Sequence, residues 1–298
     1  MPVVRTPDEH FSRLPDFSFT PHYIDVNGLR IHYVDEGKGE TMLCLHGEPS
    51  WSFLYRKMIT PMSEKHRVIA MDFVGFGRSD KFVEREAYTF NMHLDTLMGF
   101  IKAMDLEQIT VVVQDWGGLI SLAAVAHMPE YFARLIIMNT FLPTGKSKPS
   151  EAFLAWRSYV ENHPDLQIGR SILGGMAHPE NITKEVVAAY EAPFPNIKYK
   201  AGAAMWPLLV PISPDNPASA EMQHAREILS KWDKPALVMF SDKDPITGGG
   251  DKFFRSLIPT AKDQPEIVIK DAGHFLQEEK GEEISQHIRD FIKRTPVA

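Results

Sequence analysis

Short apolar segments alternate with longer segments of helical periodicity along most of the chain. Runs of about four to eight alternating or β-branched residues are typical of strands, and apolar residues at spacings of three and four are typical of helices. Eight segments have the strand pattern: 22–26, 29–34, 41–45, 67–72, 110–114, 134–138, 236–240 and 266–269. Asn27-Gly28, between the first two, is typical of a tight hairpin turn.

Segments with helical spacing separate most of the later strands. They cover residues 52–62, 91–104, 119–127, about 252–257 and about 283–294. An antiparallel start followed by alternating strands and helices predicts an α/β fold, with a mostly parallel eight-stranded sheet and helices on both faces.

The alternation is interrupted between residues 142 and 225, a segment rich in proline with helical pieces and no strong strand. We expect residues 1–141 and 226–298 to form the core domain and residues 142–225 to form a helical cap. Ligands of open α/β sheets bind at the carboxyl ends of the strands, where such a cap would exclude water. The alternative is a peripheral helical excursion without a role.

Composition and charge exclude several classes of function. The net charge is −7 without a Lys/Arg block, so nucleic acid is not an expected partner. The N-terminus has neither a signal-peptide nor a transit-peptide pattern, and no apolar run approaches the roughly 18 residues that span a bilayer. Cys44, the single cysteine, lies in an apolar run and is expected in the core. We therefore expect a soluble, cytoplasmic protein without a membrane partner.

The junction between the strand at 110–114 and the following helix carries the first candidate for chemistry. Its sequence, V-V-Q-D-W-G-G, has the layout of a nucleophile elbow, with Asp115 where G-x-S-x-G has serine. A carboxylate suits attack on saturated carbon, which displaces a leaving group and leaves an ester for water to cleave. The alternative is that Asp115 merely caps the helix, because aspartate is favoured at N-caps.

Two more candidates follow the last two predicted strands. Asp244 comes after 236–240, and His274 comes after 266–269. With Asp115 they give the order nucleophile, acid, base that is typical of α/β hydrolases. Asp242 is the competing acid. Taken singly, Asp244 is also consistent with a turn aspartate before proline, and His274 with an incidental histidine.

The segment H-G-E-P follows the strand at 41–45, which in this kind of fold supplies one oxyanion-hole N–H. The second N–H belongs to the residue after the nucleophile. We therefore predict that the backbone amides of Glu48 and Trp116 stabilise the oxyanion formed when water attacks the ester. The Glu48 side chain could position water, orient the loop or simply be solvated.

Four motifs together resemble the haloalkane dehalogenases of the α/β-hydrolase superfamily. They are H-G-E-P-S-W, V-V-Q-D-W-G-G-L, F-S-D-K-D-P and A-G-H-F-L-Q-E-E, and the resemblance extends from about residue 16 to residue 292. It implies the α/β-hydrolase fold with an inserted cap. It also implies conversion of a haloalkane and water to a primary alcohol and halide without a metal or other cofactor. We expect a monomer, since nothing in the sequence demands more.

The resemblance is to the subfamily in which two tryptophans hold the halide, one after the nucleophile and one in the cap. It implies that Trp116 and Trp156 are those ligands, since an indole N–H is a donor set in a large apolar body. Glu48 stands where other subfamilies have an asparagine ligand, and Asn139 stands where some relatives place the acid. The substrate pocket implied by partial resemblance is lined by Phe153, Leu119, Phe194, Pro207 and Val210. Core packing is the alternative for Trp156 and the preferred interpretation of Trp206.

The implied mechanism has two steps: Asp115 displaces halide from carbon, and His274, oriented by Asp244, then activates water to hydrolyse the ester. An epoxide hydrolase with the same nucleophile is the main alternative. That chemistry needs an acid on the epoxide oxygen, usually cap tyrosines, for which Tyr159, Tyr190 and Tyr199 are candidates. A non-catalytic ligand-binding homologue is a third possibility, which the intact set of candidate catalytic residues disfavours.

Overall fold

The computed structural model describes residues 1–297, and its framework is an eight-stranded sheet. Ten strands occur in the described residues, eight of them in this sheet: β1 (Val3–Val4), β2 (His22–Val26), β3 (Leu29–Glu36), β4 (Thr41–Leu45), β5 (Arg67–Met71), β6 (Lys81–Phe82), β7 (Ile109–Gln114), β8 (Phe132–Met138), β9 (Ala236–Ser241) and β10 (Ile267–Ile269). The large sheet has the order β10-β9-β8-β7-β4-β5-β3-β2. Its β2–β3 and β3–β5 pairs are antiparallel, and its other pairs are parallel.

The sequence prediction of this sheet is confirmed strand by strand. β7 and β8 are buried at every residue, which agrees with their continuous apolar runs and with the covered faces of a parallel sheet. The structure adds a two-stranded antiparallel ladder of β1 and β6. Each of these strands has two residues, too few for a periodic pattern to be recognised.

Ten α-helices accompany the strands within residues 1–297. They are α1 (Arg56–Ser63), α2 (Phe90–Ala103), α3 (Trp116–His127), α4 (Glu151–Asn162), α5 (Ile168–Gly174), α6 (Lys184–Glu191), α7 (Ala201–Leu209), α8 (Ala218–Leu229), α9 (Gly250–Leu257) and α10 (Leu276–Arg294). α1 packs against α10, and α3 packs against both α2 and α8. None of the helices in residues 1–297 is long and apolar enough to cross a membrane.

Two helices begin three or more residues earlier than the sequence pattern indicates. α3 begins at Trp116, directly after the elbow residue, because Gly117 and Gly118 continue the helix although they carry no apolar side chain. α10 begins at Leu276 and contains a non-helical residue, Lys280, so it consists of two helical segments joined at a kink. The sequence pattern predicts only the second segment, at about residues 283–294, because its apolar residues have helical spacing.

The segment between β8 and β9 is helical, as expected. It contains α4 to α8, and α8 continues beyond residue 225 to pack against α3. The Ser150 hydroxyl accepts a hydrogen bond from Phe153 N at the start of α4 and donates to the Ile246 carbonyl at 3.0 Å. The segment is thereby attached to the loop that follows β9. Its division from the core at residues 142 and 225 stays a prediction.

The sheet topology brings four loops to one edge. β4, β7, β9 and β10 run parallel, so their carboxyl ends, and the loops that follow them, lie on the same side of the sheet. Those loops carry Glu48, Asp115, Asp244 and His274.

Candidate active site

Asp115 occupies a strained bend between β7 and α3. Its backbone has φ 50° and ψ −124°, outside the regions that L-residues favour. The Asp115 amide donates to the Asn139 carbonyl at 2.9 Å, and the Thr140 hydroxyl donates to the Asp115 carbonyl at 2.7 Å. Strained backbone of this kind persists only where its surroundings hold it, and it clusters at functional sites.

Two glycines allow the close packing of this bend. A Cβ on Gly47 would lie 2.4 Å from the Asp115 Cβ, and one on Gly117 would lie 2.0 Å from the Leu45 carbonyl oxygen. Non-bonded carbon and oxygen atoms do not approach each other this closely, so both positions require a residue without a side chain. The glycines let the loop after β4 approach the Asp115 carboxylate.

The Asp115 side chain faces the neighbouring loops and makes no capping hydrogen bond to α3 in the described structure. Its Oδ1 accepts a hydrogen bond from the Glu48 amide at 2.7 Å. Its Oδ2 lies 3.5 Å from His274 Nε2. Of the two predicted oxyanion-hole amides, that of Glu48 therefore reaches the carboxylate. The Trp116 amide belongs to the first residue of α3, where a helix has no i−4 carbonyl to bond.

Asp244, rather than Asp242, reaches the imidazole. Asp244 Oδ2 lies 2.9 Å from His274 Nδ1, and the same carboxylate accepts hydrogen bonds from the Ile246 amide and the Thr247 hydroxyl. Burial alone would raise the pKa of Asp244, but His274 and these hydrogen bonds hold it below its ordinary value. Asp242 accepts a hydrogen bond from a backbone amide at 2.7 Å in the loop after β10, away from the imidazole.

His274 is buried between two carboxylates. Burial opposes its charge, but Asp244 and Asp115 together raise the pKa of the imidazole to about 10. The two neighbouring carboxylates therefore favour the positively charged form of the imidazole. The third neighbour is Gln114, whose Nε2 lies 3.1 Å from His274 Nε2 and donates to the His274 carbonyl at 3.2 Å.

Three residues to which the sequence analysis assigned no role in this chain fix the loop of His274. One is Gln114. The second is Asn139, whose Nδ2 donates to the Gly273 and His274 carbonyls at 3.1 Å each. The third is Glu279, whose carboxylate accepts hydrogen bonds from the Gly273 amide at 2.7 Å and from the amides of 177 and 178 between α5 and α6. The motif A-G-H-F-L-Q-E-E contains Glu279, but its distant backbone partners could not be recognised from it.

Both predicted halide ligands lie at one cavity. Trp116 stacks on Trp206 with ring centroids 4.9 Å apart, and Trp206 donates its N–H to His93 Nε2 at 2.6 Å. Trp206 is thus a buried packing residue that orients the Trp116 ring. Trp156, on α4, donates its indole N–H to Glu48 Oε2 at 3.1 Å.

The cavity encloses about 930 Å³ between the strand ends and the helices of the predicted cap, within the usual range for small-molecule pockets. Asp115, Trp116, Trp156 and His274 line it, together with four of the predicted pocket residues: Leu119, Phe153, Pro207 and Val210.

The expectation for Phe194 is corrected by the structure. This residue is buried, its ring packs edge-on against Phe76, and it does not line the cavity. The Pro-rich turn after α6 directs it into the core. Of the three candidate tyrosines, Tyr159 lines the cavity, Tyr190 is buried with its hydroxyl on Glu278, and Tyr199 lies elsewhere in the described chain. The pair of tyrosines expected for epoxide opening is therefore not assembled at this cavity.

Comparison with known proteins agrees with this architecture. A family model described as the alpha/beta hydrolase fold matches residues 40–281. A haloalkane dehalogenase of Psychrobacter cryohalolentis is 45% identical over 99% of this chain and 100% of its own length. One from Mycolicibacterium paratuberculosis is 43% identical over 97% of each chain.

A solved structure is similar over the same extent. It is a tetrameric haloalkane dehalogenase from Paraglaciecola agarilytica, which superposes with a TM-score of 0.90 at 36% identity and covers 96% of this chain and 97% of that one. Identities above 40% over nearly the full length extend the match from the fold to the enzyme family. The chain belongs to the haloalkane dehalogenases, hydrolases of the alpha/beta hydrolase fold that act on carbon–halogen bonds.

Proposed function

We propose that this chain hydrolyses haloalkanes to a primary alcohol and halide through an ester on Asp115. The observation that carries the proposal is the placement of this carboxylate. It lies on a strained bend at the wall of a large cavity, bonded to the Glu48 amide and facing His274 instead of capping α3.

In the first step, Asp115 Oδ2 attacks the halogen-bearing carbon. Oδ1 accepts the hydrogen bond from the Glu48 amide, so we assign the attack to Oδ2, which lies 3.5 Å from His274 Nε2. The carbon–halogen bond breaks as the carbon–oxygen bond forms, and the halide leaves with the bonding electrons. Trp116 and Trp156 hold the departing halide through their indole N–H groups, and the apolar wall keeps water away.

The ester changes the charge around His274. An alkylated Asp115 is neutral, so one of the two carboxylates that raise the pKa of His274 to about 10 no longer acts on it. The pKa of His274 falls, and the imidazole loses its second proton to solvent water. The freed Nε2 can then take a proton from water, whose oxygen attacks the ester carbonyl. Asp244 stabilises the imidazolium, and the amides of Glu48 and Trp116 stabilise the oxyanion. When the oxyanion collapses, the bond between the carbonyl carbon and the alkyl oxygen breaks, the leaving oxygen takes the proton from His274, and the alcohol departs with the Asp115 carboxylate restored.

Halide release from 1-bromohexane tests this function. Wild type should release bromide, whereas Asp115→Ala should lose essentially all turnover because no nucleophile remains. Asp242→Asn is the matched control, because Asp242 is an acid at the same sheet edge that does not contact His274. Styrene oxide is assayed in parallel. Hydrolysis of the epoxide without bromide release, or full activity of Asp115→Ala, would contradict the proposal.

Assembly and compartment are part of the same proposal. We expect a monomer in the cytoplasm; the described chain contains all the proposed catalytic groups, so the proposed chemistry does not require a second subunit. The relative from Paraglaciecola agarilytica is tetrameric, so the two chains would differ in assembly. Light scattering coupled to size exclusion distinguishes the two states directly.

A further inference from the structure

Glu48 and Trp156 are joined by a hydrogen bond at the cavity wall. The indole N–H donates to Glu48 Oε2 at 3.1 Å, while the Glu48 backbone amide donates to Asp115 Oδ1 at 2.7 Å. An indole has a single N–H and no other donor, so the carboxyl and a halide compete for it. A halide that binds Trp156 must therefore displace Glu48.

The surroundings of the Glu48 carboxyl favour its neutral form. The residue is 5% exposed, and its Oε1 is buried without a hydrogen-bond partner among residues 1–297. Burial and the charge of Asp115 raise the pKa of Glu48 well above its ordinary value, against the opposing effects of Trp156 and His274. An ionised carboxylate here would be desolvated and would lie beside another carboxylate.

We propose that Glu48 is a positioning residue whose charge decides whether Trp156 can bind halide. As a neutral acid it holds the indole through an ordinary hydrogen bond and releases it to the halide. As a carboxylate it would retain the indole through a stronger, charge-assisted bond and would also repel the anion. The inference rests on the proposed role of Trp156 as a halide ligand.

The pH dependence follows with a definite sign. Halide affinity is full below the pKa of Glu48 and falls as pH rises through it, by up to about tenfold per pH unit. Asp115 and His274 also face this carboxyl, Trp156 is its partner on α4, and Lys148 and Arg170 line the same cavity.

Among the groups near the carboxyl, the titration of His274 acts in the same direction, because loss of its positive charge also weakens anion binding. His46, at the start of the same loop, is neutral because burial lowers its pKa. The contribution of Glu48 to the pH dependence of halide affinity is therefore the difference between the profiles of wild type and Glu48→Gln. His274 and the other titratable groups are present in both proteins.

Bromide binding measured by tryptophan fluorescence between pH 6 and pH 10 tests the inference. At pH 6, Glu48→Gln should bind bromide within about threefold of wild type, because glutamine keeps a neutral carbonyl acceptor for the indole. As pH rises above the pKa of Glu48, the bromide affinity of wild type should fall, and that of Glu48→Gln should fall less. Glu161→Gln, at an exposed position on the same helix as Trp156 that does not line the cavity, is the matched control and should follow wild type.

Trp156→Phe provides a second test that does not depend on the folding of Glu48→Gln. Removal of the indole N–H should weaken bromide binding and flatten its pH profile. In this background, Glu48→Gln should change the remaining profile little, because the coupling between the two residues is gone. Profiles of wild type and Glu48→Gln that coincide at all pH values would overturn the inference. Unchanged bromide affinity in Trp156→Phe would instead contradict the proposed halide ligand itself.

Discussion

A buried ion cluster connects α1, α6 and α10, and its disruption should destabilise the protein strongly. Arg56 and Glu278 form a bidentate pair at 2.5 and 2.6 Å, with each side chain 1% exposed. Tyr190 adds its hydroxyl to the same carboxylate at 2.6 Å, and Lys57 lies 3.1 Å from it. The cluster links α6, a helix of the predicted cap, to α1 and α10 of the predicted core domain. The perturbation we consider is Glu278→Gln.

The expected loss follows from what remains after the change. Glutamine keeps the size of the side chain but leaves the Arg56 guanidinium buried without an opposite charge. Breaking a buried pair in this way costs about 3–5 kcal/mol of the free energy of unfolding. Tyr190→Phe removes one hydrogen bond to a charged group and should cost less, about 1.5–3 kcal/mol. Replacing both ions, as in Arg56→Met with Glu278→Leu, should cost less than Glu278→Gln alone, because no buried charge is left unpaired and Lys57 keeps its access to solvent.

Urea unfolding followed by circular dichroism measures these differences in the free energy of unfolding. The dependence of that free energy on urea concentration should be the same in all variants, which shows that the same amount of surface is exposed on unfolding. Arg56 and Tyr190 outweigh burial and hold the pKa of Glu278 below its ordinary value. The contribution of ionised Glu278 to the free energy of unfolding is therefore fully present above the unfolded-state pKa of about 4.3. It is lost as pH falls towards the lower pKa of Glu278 in the folded state. Wild type should lose more stability than Glu278→Gln on acidification. A loss below about 1 kcal/mol for Glu278→Gln would refute the reasoning, because surface pairs already reach that value.

Three further predictions concern the active site. Asp244→Asn should slow ester hydrolysis by about 10²–10⁴-fold, because the imidazole loses its orienting charge, while alkylation persists; burst kinetics of halide release measure both steps, and an unchanged steady rate would exclude Asp244 as the acid. Gly47→Ala should abolish most turnover at near-normal secondary structure, because its Cβ would lie 2.4 Å from that of Asp115; wild-type halide release would show that the loop can move aside. Trp206→Phe should weaken bromide binding several-fold, because the Trp116 ring loses its stacking partner. It should also lower the free energy of unfolding by about 1–3 kcal/mol, because His93 loses its hydrogen bond. Bromide titration and thermal melting measure the two effects, and normal bromide affinity would rule out the stacking role.

Much of the fold was predictable because its strands are locally encoded. The run Val111–Val113 and its parallel neighbours are continuously apolar, and a covered parallel sheet requires that composition. The order of candidate catalytic residues was readable for a related reason, since each follows a predicted strand of the sheet. β1 and β6 were missed because two residues carry no periodicity.

Contacts across long sequence separations were the part that could not be predicted. Phe194 was expected in the pocket, but its direction depends on the turn after α6 and on Phe76, far away in sequence. The bond between Glu48 and Trp156 joins residues 108 positions apart. Gln114 lies within the elbow motif, yet its contact with His274 spans 160 positions. Residue type indicates which groups can bond, whereas tertiary packing determines which of them meet.

The covalent state of Asp115 during turnover tests the account most directly. In His274→Gln, alkylation should proceed while hydrolysis is blocked, so incubation with 1-bromohexane should add one hexyl group to the protein. Peptide mapping by mass spectrometry should locate that group on Asp115, and Asp115→Ala in the same background should acquire none. Absence of an adduct on this peptide, in a variant that still releases bromide, would contradict the central claim.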